Sequence, residues 1–114
     1  MTLRPPSLSS SSTLSRAAAS PVAALDYEIA QEQASALGRL GRALEAALAA
    51  LKDHEARSGE RNAARAKLVQ DASHALWCFI VQREACGMRD PRPVLRAYGV
   101  PTDVQNRMGA VGGR

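Results

Sequence analysis

The side chains equipped for chemistry are few, and most of them lie between positions 74 and 107. The sequence holds two His and two Cys in 114 residues. His74 and Cys78 are spaced i, i+4, which on a helix sets two metal ligands on one face. A structural zinc site takes four ligands, so a second chain would have to supply another pair. The simpler reading is a core thiol beside a partly exposed histidine, and no metal or cofactor is expected. His54 has no Cys or acid pattern around it to complete a site. Cys86 falls near a helix C-terminus, where the dipole disfavours a thiolate and hence a reactive nucleophile. The sequence contains no glycine-rich phosphate loop, nucleophile elbow or His-Glu-x-x-His pattern, so an enzyme is not expected.

The cations offer more. Arg83 belongs by helical phase to an apolar face, which suits a snorkelling or paired Arg at the edge of a core. Beside Arg89 it could instead line an anion-binding crevice. Arg89, Arg92 and Arg96 would sit near one face of a short helix and could contact phosphates. Residues 91–108 also match the outline of a helix-turn-helix, with two helices of about eight residues and Gly99 between them. Against DNA binding, the second of those helices opens Pro101-Thr102-Asp103, placing an acid where contacts are needed. Only Gln105, Asn106 and Arg107 offer base-reading groups there.

These residues need helices to place them. Ser20-Pro21 fits an N-cap followed by Pro in the first turn, and Asp26 is a second possible start. The long first helix is expected over 26–57. Leu37, Leu40, Leu44, Leu48 and Leu51 fall on an arc of about 80° along it, a narrow seam flanked by Gly38, Gly41 and many Ala. Ser58-Gly59 breaks the pattern, and a second helix of similar length follows over 60–86, stopped by Gly87. Its main face carries Leu68, Val69, Ala72, Leu76, Phe79, Ile80 and Cys86. Trp77, Cys78 and Val81 point elsewhere, so Leu76, Trp77, Phe79 and Ile80 read as a packing hub covered on two sides. Asp90-Pro91 starts a short helix over 91–98, and Val100-Pro101 another over 101–108, ended by Gly109. This pair is the natural cover for the Trp77 side.

The totals bound the answer. Residues 1–25 carry three Pro, a Ser run, two Arg and no acid, a composition that reads as a disordered tail and also matches a transit peptide. Residues 26–109 then form a single helical domain, with 110–114 as a flexible end. Such a short domain has a marginal core, and oligomerisation is a common remedy. The net charge of +4 is spread without a basic arm. Cys78 and Cys86 lie about 12 Å apart along one helix and cannot bridge each other. Two buried thiols without an export signal suit a reducing, cytoplasmic setting. The longest apolar run, 76–81, is too short to span a bilayer.

The segment Phe79-Ile80-Val81-Gln82-Arg83-Glu84-Ala85-Cys86-Gly87-Met88-Arg89-Asp90 resembles the core of a family of small bacterial proteins of unknown function. Tyr98-Gly99-Val100-Pro101 and Arg107-Met108-Gly109 resemble that family's ending, and Leu25-Asp26-Tyr27-Glu28-Ile29 its opening. The resemblance covers residues 25–109 and leaves the N-terminal tail outside. It implies a soluble bacterial protein and carries no activity, cofactor or site residue.

The expected molecule is an all-α protein, a long antiparallel hairpin capped by two short helices. Two helices alone leave too much of the Leu seam bare, so a homodimer built as a four-helix bundle is expected. Its expected role is that of a non-enzymatic interaction module, with a small DNA-binding protein as the alternative. No membrane contact is expected, and an unknown protein partner is possible.

Overall fold

Residues 20–112 are described by a computed structural model, with side chains as far as Gly109. Among the described residues four helices follow one another: α1 (Pro21–Arg57), α2 (Ala63–Ala85), α3 (Arg92–Ala97) and α4 (Thr102–Gly112). The all-α reading and the order of long and short helices hold. The chain divides into two units, Met1–Ala34 and Ser35–Arg114, the division falling within α1.

In the first unit, α1 starts at Ser20-Pro21 and not at Asp26. Ser20 Oγ accepts from the Ala23 N–H at 3.2 Å, so the hydroxyl satisfies a donor that the first turn leaves orphaned. Residues 21–25, assigned to the tail by composition, are therefore helical. The rest of the expected disordered tail, residues 1–19, lies outside the described residues. Val22, Leu25, Tyr27 and Ile29 are all exposed.

The second unit is the hairpin and its cover. Glu55 of α1 pairs with Arg65 of α2, and Gly41 of α1 lies against Phe79 of α2. Fourteen residues forward on one helix thus match fourteen on the other, with α1 and α2 antiparallel. Ser58 and Gly59 both donate to the His54 carbonyl, and Gly59 takes φ +66°, which reverses the chain. The second helix starts at Ala63 and not at Glu60, because Asn62 is the N-cap, its side chain accepting from the Arg65 N–H at 3.1 Å. Gly87 ends α2 as expected. Its φ of +92° lets the Met88 N–H reach the Arg83 carbonyl at 2.8 Å, closing the last turn.

The Leu seam is the spine of the core. Leu44 and Leu51 are buried, and Leu37, Leu40 and Leu48 pack beside them against Val69, Ala72, Leu76 and Phe79 of α2. The short helices run back along the hairpin. Tyr98, at the end of α3, meets Phe79 edge to face at 5.7 Å, and Val94, Val100 and Val104 join the same core. The buried hydroxyl of Ser73 shares its hydrogen between the carbonyls of Val69 at 2.7 Å and Val104 at 3.2 Å, tying α4 to α2. α3 is shorter than the expected 91–98. Asp90 Oδ1 accepts the Arg92 N–H at 3.1 Å, so the Asp-Pro signal acts one residue later than expected. α4 continues through Gly109 to Gly112, since a glycine in helical conformation costs only about 1 kcal/mol and does not by itself stop a helix.

At Gly41 α1 comes close to its cover. A Cβ there would stand 3.0 Å from Tyr98 Oη and 3.6 Å from the Phe79 ring. Gly41→Leu therefore overpacks the core and lowers stability by about 3 kcal/mol, read from urea unfolding.

Candidate interaction surface

Viewed down α2, residues 69, 72, 73 and 76 turn inward, and all four are buried. About 100° per residue then carries Trp77, Val81, His74 and Cys78 round to the other side. Trp77 and Val81 are each 42% exposed. The hub expected at 76–80 is thus divided. Leu76 and Phe79 are buried and Ile80 packs half-buried against the core, while Trp77 is left partly exposed. Its expected cover is misplaced for a physical reason. The Ser73–Val104 contact and the Phe79–Tyr98 pair draw α3 and α4 onto the inward face of α2, which also hides the Leu seam. The seam is covered from within at Leu44 and Leu51, while Leu37, Leu40 and Leu48 are half-buried.

On the exposed face, Cys78 Sγ lies 3.5 Å from His74 Nε2. Neither thiol is fully buried, contrary to expectation. The charges nearby are balanced, with Lys67 Nζ 2.7 Å from Asp71 Oδ1 one turn before His74. Among the described residues no group of three or more His, Cys, Asp or Glu is placed to hold a metal ion.

The four Arg singled out by sequence differ in their partners. Arg83 donates to the Asp90 carbonyl at 3.2 Å and packs against Met88 Sδ. Arg92 forks onto the Asp90 carboxylate through Nε and Nη2, each at 3.0 Å. Hydrogen bonds from the Arg92 side chain and backbone hold the Asp90 carboxyl down at about 2, with a smaller attraction from Arg96. The carboxylate that Arg92 holds is the chain's own. Arg89 is exposed beside them. Gln105, a would-be base reader, donates instead to the Val100 carbonyl at 3.0 Å.

Sequence reasoning missed a charged clamp. Arg65, its side chain only 12% exposed, reaches Glu55 of α1 and Asp103 of α4, each at 2.6 Å. Asp103, read from sequence as an acid facing DNA, is the anchor of α4. Four residues before Val69, Arg65 is in phase with the apolar face, and the same criterion that flagged Arg83 would have found it. The Arg65 hydrogen bond holds the Asp103 carboxyl below its ordinary value of 3.8. A carboxyl depressed in the folded state contributes stability above its unfolded pKa and loses it as pH falls through the folded one. Below about pH 4, Asp103→Asn should therefore show a shallower loss of unfolding midpoint with acid than the parent chain.

Two further features complete the surface. A cavity of about 840 Å³ opens between Leu48, Leu51 and Glu55 of α1 and the Tyr98–Pro101 connection. His54 is buried, its Nε2 3.0 Å from the Glu60 carbonyl, which fixes it in the hairpin turn. Among the described residues no helix is long and apolar enough to cross a membrane.

A family model described as "Family of unknown function (DUF6665)" matches residues 3–114. The match bears out the resemblance to a family of unknown function and extends it at both ends, taking in most of the N-terminal stretch that the resemblance left outside. No curated protein and no solved structure matches the chain.

Proposed function

We propose that this chain, which belongs to that family of unknown function, works as a non-enzymatic protein–protein interaction module that self-associates through the exposed face of α2. The observation that carries this reading is the pair Trp77 and Val81, side by side at i, i+4 and each 42% exposed. Trp is among the side chains that most often dominate binding energy, because its large area is buried at little entropic cost. Two identical surfaces meet in a twofold dimer, so each must tolerate its own copy. The α2 face does so, since its Lys67–Asp71 pair is internally neutralised. Residues 21–34 differ in charge pattern, holding Asp26, Glu28 and Glu32 with no Lys or Arg.

Light scattering of the full chain as purified, over a wide range of concentration, tests the reading. A mass rising toward twice that of the chain supports it, and a monomer at every concentration removes it. DNA binding is the weaker reading here, because Arg92 and Gln105 are both engaged within the chain.

A further inference from the structure

The exposed face of α2 sets a histidine beside a cysteine, His74 Nε2 lying 3.5 Å from Cys78 Sγ. We propose that His74 and Cys78 are two of four ligands of a tetrahedral zinc site that a second copy of the chain completes with the same pair. The inference rests on the self-association just proposed and names what sits at its centre.

Three observations carry it. The first is distance. Zinc binds thiolate sulfur at about 2.3 Å and imidazole nitrogen at about 2.0–2.1 Å, so two such ligands at a tetrahedral angle stand about 3.5–3.6 Å apart. Cys78 Sγ and His74 Nε2 are already 3.5 Å apart. The i, i+4 spacing on a rigid helix sets that separation without rearrangement. The second is access. His74 is exposed and Cys78 half-buried, so an ion arriving from solvent reaches both. The third is symmetry. One chain supplies two ligands where a closed structural site takes four, and a twofold axis beside His74 and Cys78 supplies the same two again. Trp77 and Val81 border the pair, so the copy that covers them brings its own ligands with it.

The chemistry balances. Each Cys78 thiol releases its proton to solvent on binding, and each His74 binds as the neutral imidazole through the Nε2 lone pair. Two thiolates cancel the two charges of the ion, leaving a neutral site inside an apolar border. A thiolate and imidazole set favours zinc over the hard, oxygen-seeking cations.

The test uses the full chain, stripped with a chelator and then titrated with zinc. Metal content is read by elemental analysis and mass by light scattering. The expected result is one zinc per two chains, appearing together with the dimer. Cys78→Ser and His74→Gln, both at accessible positions, should each lower zinc retention at least tenfold while circular dichroism stays unchanged. Cobalt(II) in place of zinc should show a thiolate charge-transfer band that Cys78→Ser loses. A dimer that persists in chelator and takes up no zinc overturns this inference and leaves the self-association reading standing. A monomer with and without zinc overturns both. One zinc per monomeric chain, or retention unaffected by Cys78→Ser, also overturns it.

Discussion

Leu76→Ala lowers the unfolding free energy by about 2–5 kcal/mol, among the largest losses expected from a single substitution in this chain. Leu76 has no exposed surface and lies in the core cluster that joins α1, α2 and α4. Removing its side chain deletes apolar contact and leaves a cavity walled by fixed backbone. In a domain of this size the loss lowers the melting temperature by about 8 °C or more. Thermal and urea unfolding of the full chain check it. The oligomeric mass of the fraction that remains folded should not change, because Leu76 faces inward.

Trp77→Ala has the opposite profile, although the two residues are neighbours. With 42% of Trp77 exposed, its truncation costs the monomer far less than the loss of Leu76. Self-association should weaken by about 2 kcal/mol or more, which is about thirtyfold in the dimer dissociation constant. Sedimentation equilibrium measures that constant. The pair of substitutions separates the two faces of one helix, with the loss at Leu76 expected in stability and the loss at Trp77 in association. A Trp77→Ala chain that dimerises as well as its parent would place the interface elsewhere.

Much of the fold was legible because helix boundaries carry local signals. Gly59, Gly87 and Gly99 all take positive φ and all end a helix, where their type alone suggested it. The Leu seam at 37, 40, 44, 48 and 51 is the core of α1 because a 3.6-residue period needs no knowledge of the partner. Gly109 was misread for the complementary reason. A glycine is permissive, so it stops a helix only where the following chain is drawn away, and α4 continues instead.

What sequence could not supply was the direction from which α3 and α4 approach. Two sides of α2 were open to them, and the choice rests on contacts between residues far apart in the chain. The Ser73 hydroxyl finds the Val104 carbonyl, Phe79 finds Tyr98, and Arg65 joins Glu55 to Asp103. None of these pairs has a periodic signature. With the inward side taken, Trp77 changed from an expected core residue to the centre of a surface. Two of the four Arg meet at Asp90, Arg83 at its carbonyl and Arg92 at its carboxylate, in a turn that sequence showed only as a helix start.

Trp77 is also the only Trp in the sequence, so it reports on its own face. The most direct measurement is its emission and acrylamide quenching across a dilution series, recorded beside light-scattering mass. Burial of Trp77 between two copies predicts that emission shifts to the blue and quenching falls as the mass doubles, with one common midpoint. A mass that doubles while Trp77 emission stays that of a solvent-exposed indole would contradict the account.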